Sequence, residues 1–366
     1  MKLTIAQPQL LKSLQVVERA VNDRSTLPIL SNVLLQTTSN ELILTATDLD
    51  VGIQCRFPLP QGAEQGAVTL PARKLTTIIR ELPDDTVTLE AKKSQAATVT
   101  CGTSSFRIPG LPAEDFPVLP ESTATEGFTI SQAQLKQLLV RTAYAMSMEE
   151  TRFILNGALW NIHKGVLTIV ATDGRRLAVA SAAVGGGKGG LVCVIPAKTI
   201  RELTRLLQED DPQEVSVAAL KDNQVTFRFG GTIVMTRLID GQFPPYEKVV
   251  PAPTKRTLTV NRQTLLTAVR RASLMTTATS QAVVFELAKD RLVVSKDSPE
   301  LGSAREELAV AYAGDAMQVA FNPEFWLDVL RVLPMDDVTI ELSGPDRPAV
   351  IRLEDFTYLV LPMKMA

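Results

Sequence analysis

The chain is predicted to be an α+β protein made of three diverged copies of one unit, each with two helices packed on antiparallel sheet. Two observations predict it. Short landmarks recur in the same order at a nearly constant spacing, and apolar patterning between them switches between helical and strand periods. Length agrees, because 366 residues exceed what one hydrophobic core usually holds.

The landmarks are specific. Leu42-Ile43-Leu44-Thr45-Ala46-Thr47-Asp48 returns as Leu167-Thr168-Ile169-Val170-Ala171-Thr172-Asp173 and, more weakly, as Leu292-Val293-Val294-Ser295-Lys296-Asp297, with the aspartates 125 and 124 residues apart. Pro71-Ala72-Arg73-Lys74 corresponds to Pro196-Ala197-Lys198 and Asn322-Pro323-Glu324. Asp115-Phe116-Pro117 returns as Gln242-Phe243-Pro244, 127 residues on. Pro-rich segments at 109–120 and 244–253 mark linkers, which gives domains 1–120, 121–250 and 251–366.

The elements follow in order. A short strand opens each unit (Leu3-Thr4-Ile5, Phe128-Thr129-Ile130, Leu258-Thr259-Val260). A helix comes next; over 9–21, Leu10, Leu14, Val17 and Val21 form one stripe. Strands lead to a second helix opened by the proline landmark, whose missing N–H suits a first turn. In 196–207 the stripe is Ile200, Leu203, Leu206 and Leu207, and in 71–82 it is Leu75, Ile79 and Leu82. Runs such as Val87-Thr88-Leu89-Glu90 and Val215-Ser216-Val217 close each unit as alternating strands.

Composition is that of a soluble protein, 45% hydrophobic and 21% charged. Cys55, Cys101 and Cys193 lie far apart in β-like runs, where buried free thiols in a reducing cytoplasm are expected. The first residues carry no signal-peptide pattern, and no apolar run reaches membrane-spanning length.

The net charge of −2 argues against nucleic acid until its distribution is considered. The six predicted helices hold fourteen basic residues: Lys12, Arg19, Arg73, Lys74, Arg80, Lys136, Arg141, Lys198, Arg201, Arg205, Arg262, Arg270, Arg271 and Arg331. Only Glu18, Glu81, Glu202, Glu324 and Asp328 oppose them, so the rest of the chain is acidic. A solvated helix face carries Lys and Arg in any protein. Shared across equivalent helices, the bias also fits a surface held near phosphates by charge, without reading sequence.

Catalytic motifs fail one by one. A single histidine, His163, leaves no imidazole cluster for a metal and no spare base. Gly185-Gly186-Gly187-Lys188-Gly189-Gly190 lacks the GK[ST] ending and precedes a strand, where a phosphate loop precedes a helix. The repeated Thr-Asp suits turn chemistry. No metal, cofactor or catalytic residue is expected.

Thr26-Leu27-Pro28-Ile29-Leu30, Ala46-Thr47-Asp48, Leu155-Asn156-Gly157, Ala171 to Ala178, Asp240-Gly241-Gln242-Phe243-Pro244 and Leu361-Pro362-Met363, in this order on a triplicated chain, resemble the bacterial DNA polymerase III beta subunit family, the DNA sliding clamps. The resemblance covers the whole chain. It implies three repeated DNA-clamp domains forming half of a closed ring. That ring would be a head-to-tail homodimer that encircles duplex DNA without sequence preference. It would tether polymerases, serve other proteins bearing clamp-binding motifs, and be opened by a clamp loader.

By the same resemblance, partner peptides would enter a pocket between the second and third domains. Its residues would be Leu155, Thr172, Gly174, Arg175, Arg176, Leu177, Pro244, Lys248, Val249, Val360, Leu361, Pro362, Met363 and Lys364. Leu155 and Leu177 also suit a core, and 358–363 also suits a final strand. DNA would be faced by Lys12, Arg19, Arg24, Arg73, Arg80, Lys136, Arg141, Arg152, Phe153, Lys198, Arg201, Arg205, Arg270 and Arg271. The ring would close through Lys74, Phe106 and Arg107 on one side and Leu274, Met275, Glu300, Glu306 and Glu307 on the other; the acids suit solvated surface equally. The chain departs from the family where Phe153-Ile154 replaces a frequent tyrosine pair. Arg175 replaces a commoner histidine, and Lys364-Met365-Ala366 a shorter Arg-ended tail.

Two rivals remain at this point. One is a repeat-built enzyme at the junction near 172–177 and Pro244, which would need a paired acid and base. The other is a peptide-binding scaffold that encloses no DNA, which would need no basic helix faces.

Overall fold

The computed structural model describes residues 1–21, 26–38, 40–59, 63–83, 85–91, 95–119, 127–186, 190–220 and 222–364. Arg24 and the tail pair Met365-Ala366 therefore lie outside the described residues, as does the middle of the glycine run.

The first repeat contains β1 (Lys2–Ala6), α1 (Gln7–Val17), β2 (Asn32–Thr37), β3 (Glu41–Thr47), β4 (Val51–Pro58), β5 (Gly66–Pro71), α2 (Ala72–Glu81), β6 (Thr86–Ala91), β7 (Ala96–Cys101) and β8 (Ser104–Pro109). The second contains β9 (Gly127–Ser131), α3 (Gln132–Thr142), β10 (Gly157–His163), β11 (Val166–Thr172), β12 (Arg176–Ala183), β13 (Leu191–Pro196), α4 (Ala197–Leu206), β14 (Glu214–Leu220), β15 (Gln224–Phe229) and β16 (Thr232–Arg237). The third contains β17 (Thr257–Asn261), α5 (Arg262–Ser273), β18 (Val283–Ala288), β19 (Arg291–Ser298), β20 (Gly302–Ala309), β21 (Met317–Phe321), α6 (Pro323–Val332), β22 (Asp337–Leu342), β23 (Ala349–Arg352) and β24 (Phe356–Val360).

The order of elements is the same in all three, as the landmarks predict. Each repeat, however, contributes to two sheets rather than one. The reason lies in the pairing. In the first repeat, β1 pairs with β6 and continues through β7 to β8, while β5 pairs with β2 and continues through β3 to β4. The helices bury their stripes between these layers: Leu10, Leu14 and Val17 of α1, and Leu75, Ile78 and Ile79 of α2.

The caps explain the helix starts. Pro8 sits in the first turn of α1, and Pro323 does so in α6, where the Asn322 side chain accepts from the Glu324 amide at 3.0 Å. Pro71 instead precedes its helix as an extended cap residue, and Pro196 closes its strand. The proline landmark is thus a strand-to-helix corner in two repeats and a first-turn residue in the third.

The chain forms two compact units. Unit 1 holds residues 1–135, 185–189 and 201–238, and unit 2 holds 136–184, 190–200 and 239–366, so the second repeat is shared out. Unit 1 contains the sheet β1-β6-β7-β8 and a longer one, β9-β14-β15-β16-β4-β3-β2-β5, with Gly185–Gly186 at its edge. Unit 2 contains β20-β19-β18-β21 and β13-β10-β11-β12-β24-β23-β22-β17, with Ala311–Tyr312 at its edge.

Each long sheet contains the same kind of internal seam. The last strand of one repeat pairs antiparallel with the fourth strand of the repeat before it. In unit 1, β16 runs along β4, with Thr232 opposite Cys55 and Thr236 opposite Val51. In unit 2, β24 runs along β12, with Val360 opposite Arg176 and Phe356 opposite Ala180. The strands equivalent to these partners, β8 in the first repeat and β20 in the third, are end strands of their sheets.

Candidate peptide cleft, basic helix faces and free strand edges

In unit 2 the turn after β11 is built by its own side chains. The Thr172 hydroxyl donates to the Arg176 carbonyl at 2.6 Å and accepts from the Gly174 amide at 3.0 Å. Asp173 Oδ1 accepts from the amides of Arg175 and Arg176 at 2.9 and 3.0 Å. The carboxylate of the repeated motif therefore closes a turn. Gly174 takes φ +84°, and a Cβ there would stand 2.8 Å from Arg152 Nη1, so only glycine fits without displacement.

This turn lies beside the end of the chain: the Leu361 amide donates to the Arg175 carbonyl at 2.9 Å, and the Met363 amide to the Ala320 carbonyl at 2.7 Å. Beneath, Leu159, Val170, Leu177, Val194, Val350 and Leu359 form an apolar cluster. Ile154, Val179, Ile239, Phe243, Tyr246 and Val250 pack half-buried against it. Leu361 and Met363 stay about 40% and 37% exposed, Val249 58%, while Leu155, Leu177 and Val360 are buried. Gly174, Arg175, Pro244, Lys248 and Lys364 are exposed and Pro362 is half-buried. The turn and the tail thus carry exposed apolar and cationic groups beside a buried apolar cluster.

Phe243, Tyr246 and Val179 were not expected in this group, whereas Leu359 belongs to the expected tail. Phe243 carried a signal, since it sits in the landmark shared with Phe116. Val179 and Leu359 are ordinary apolar residues that only the strand register brings together, and Tyr246 packs against the cluster from the short helical turn 246–248.

Arg176, expected among the pocket residues, is engaged within the fold. Its Nε donates to Asp173 at 3.0 Å, its Nη1 to Asp328 of α6 at 2.7 Å, and its Nη2 to the Tyr144 carbonyl. Its guanidinium also lies 4.4 Å from the Phe325 ring centroid. Burial works against its charge, but the Asp328 hydrogen bond and the nearby Asp173 overcome this and hold its pKa above the usual arginine value. Its side chain knits the second repeat to the third instead of facing outward.

Most of the basic helix residues are exposed. Lys12, Arg73, Arg80, Arg201, Arg205, Arg270 and Arg271 are exposed, and Lys136 and Lys198 are half-buried. Arg19 reaches Glu202 at 3.5 Å, and Arg205 reaches the same carboxylate at 3.0 Å. Arg152 is exposed and donates to the Asp173 carbonyl at 3.0 Å; Phe153 beside it is 61% exposed. Arg141 is a correction: its side chain is 6% exposed and donates to Asp355 at 2.7 Å, because its place on α3 points it into the fold.

At the expected closing surfaces, Lys74, Phe106 and Arg107 are exposed, the latter two on the end strand β8. Leu274 is 69% exposed just after α5, and Met275 is half-buried. Glu300 is exposed. Glu306 on β20 accepts from Arg271 at 2.6 Å, and Glu307 lies 3.9 Å from Arg291.

Among the described residues there is no group of His, Cys, Asp and Glu that could hold a metal ion, and no helix is long and apolar enough to cross a membrane. His163 is an exposed strand-end residue paired with Val166.

Three repeats of one element order, joined by continuous seams and carrying basic helices, define a clamp architecture. Models of the N-terminal, central and C-terminal domains of the DNA polymerase III beta subunit match residues 1–120, 129–245 and 247–364, and the chain belongs to that family. It is 36% identical over 369 residues to the beta sliding clamp of Pseudomonas aeruginosa and 34% over 371 residues to that of Escherichia coli, with 100% of both chains covered in each case. Crystal structures of DNA polymerase sliding clamps from P. aeruginosa and Bacillus subtilis match at TM-score 0.94, with 35% and 29% identity and 100% of both chains covered. A P. aeruginosa clamp bound to griselimycin matches equally, at TM-score 0.94. The family is one of non-catalytic processivity factors.

Proposed function

We propose that two copies join head to tail into a closed ring around duplex DNA, and that each copy holds partner peptides in the unit 2 cleft. The three repeats act as domains 1–120, 121–250 and 251–366. One observation carries the ring: the two end strands, β8 and β20, are the repeat equivalents of strands that are paired at both internal seams. A seam between β8 of one copy and β20 of the other would leave no such edge. Exposed Phe106 and Leu274 supply its apolar anchors, with Met275 beside them. Lys74, Arg107, Glu300, Glu306 and Glu307 supply polar margins.

The basic helix faces would point to the DNA. Lys12, Arg19, Arg73, Arg80, Lys136, Arg152, Phe153, Lys198, Arg201, Arg205, Arg270 and Arg271 are the facing residues in this reading, with Arg24 added from sequence alone. A closed ring cannot leave a duplex by breaking contacts, so it needs only weak attraction to phosphates, which permits sliding. A polymerase tethered through its peptide stays at high local concentration near the primer end. The margin of Arg175, Lys248 and Lys364 suits the polar ends of such a peptide, and Leu361, Pro362, Met363 and Val249 suit its apolar side chains. A clamp loader and other proteins bearing the same motif would share the cleft. The ring would act in the cytoplasm.

Gel filtration tests the ring first: the expected mass is twice the 39.8 kDa chain. Retention on nicked circular DNA that is lost when the circle is cut tests encirclement. Retention indifferent to linearisation would refute threading.

A further inference from the structure

We propose that unit 1 carries a second peptide-docking cleft, equivalent in repeat register to the one in unit 2 and suited to an apolar residue flanked by a basic one. It rests on the peptide-binding reading of unit 2, whose turn it reproduces.

A cleft of about 290 Å³ opens where β4 meets β16, lined by Leu49, Asp50, Gly52, Val118, Leu119 and Met235 among others. Adding the repeat spacing of 125 to Thr47, Leu49, Asp50 and Gly52 gives Thr172, Gly174, Arg175 and Leu177, and adding 127 to the lining residue Pro117 gives Pro244. The frame is the same down to its bonds. The Thr47 hydroxyl donates to the Val51 carbonyl at 3.0 Å, and Asp48 Oδ1 accepts from the Asp50 and Val51 amides at 3.1 and 2.8 Å.

The floor is rebuilt rather than filled. Gly52 stands where unit 2 has Leu177, and the linker residue Leu119 folds over it: a Cβ on Gly52 would meet Leu119 Cδ2 at 2.9 Å. Leu119 thus supplies the apolar group that a strand residue supplies in unit 2.

The lip is apolar and open. Leu49 holds φ +79° where unit 2 has Gly174, a backbone region that disfavours a leucine, and it is 51% exposed; Val118 is 93% exposed. A larger groove of about 660 Å³ shares Val118 and Leu119 and runs on past Phe116 along β2 and β3, room for a short extended peptide. Charge separates the two clefts. Asp50 occupies the place of Arg175, so a basic residue beside the apolar anchor is favoured on that lip, with Arg237 on the opposite wall.

The test uses the full-length chain, isotope-labelled, titrated with two hexapeptides that differ only in Lys or Asp after a Leu-Leu pair. The Leu-Leu-Lys peptide should shift the amides of Leu49, Gly52 and Val118. The double variant Leu49→Ser, Val118→Ser, which removes the two exposed apolar side chains without adding charge, should weaken that binding roughly tenfold or more. Shifts at Gly174 and Leu361 report unit 2 separately. If those move while Leu49, Gly52 and Val118 stay still at millimolar peptide, the second cleft is refuted and the first stands. If neither set moves with either peptide, the peptide-binding reading itself falls, and this one with it.

Discussion

Arg141 and Arg176 show what a residue's position adds to its type. Both are cations, one expected to face DNA and the other to line the peptide pocket, yet the fold turns their side chains onto Asp355 and Asp328. Spacing on a helix or strand gives a face, but not which neighbour from a later repeat will cover it. Arg141→Ala is therefore expected to lower stability by about 1–3 kcal/mol, toward the low end because Asp355 is half-exposed, while DNA retention stays unchanged. Thermal denaturation beside a nicked-circle retention assay checks both halves. The cysteines were legible throughout, as three buried free thiols. Burial pushes the Cys55 thiol up to about 11 and the Cys193 thiol to about 12. In the native protein neither should react with iodoacetamide at about pH 8, whereas both should in denaturant. Unfolded, these thiols ionise near 9.0, below their folded values, so their contribution to stability is intact below that pH and declines as pH rises above it. Rapid native labelling of either peptide, read by mass spectrometry, would contradict the burial.

At the scale of elements, helices and strands were legible because their apolar periods are strong, and α2 and α4 start within a residue or so of expectation. The division of each repeat into two sheets was not legible. Strand runs that alternate alike carry no label saying which partner each will take, and the seams join residues as distant as Val51 and Thr236. The closeness of the 172–177 turn and the 358–363 tail was legible, but not the apolar cluster beside them, where Val170 and Val179 meet Leu359 only through strand register. Leu361→Ala with Met363→Ala removes two exposed side chains at its margin. Peptide affinity should fall about tenfold or more while the melting temperature barely moves, as fluorescence anisotropy and calorimetry would show. Leu274→Ala with Met275→Ala should yield monomers; a dimer mass in equilibrium sedimentation would rule out this closing surface.

For the whole molecule, triplication was the most legible feature, because landmarks 124 to 127 residues apart survive where individual side chains have diverged. The charge pattern was legible as a sum and less so residue by residue. Attraction to DNA should weaken steeply with salt, since it rests on lysine and arginine near phosphates. If the chain closes into the proposed ring, retention on a closed circle should weaken far less, because topology would hold it in place. Comparing washes of rising ionic strength on linear and circular DNA separates the two, and equal losses would count against enclosure.

The two end strands have one further consequence. A head-to-tail contact closes only if the turn it imposes adds up to a full rotation; otherwise the same contact propagates into an open filament. Whether copies stop at two is thus decided less by the edges themselves than by the angle accumulated along the chain. A substitution that bends an internal seam could convert a discrete assembly into fibres without altering either sticky end, and electron microscopy of such variants would reveal it.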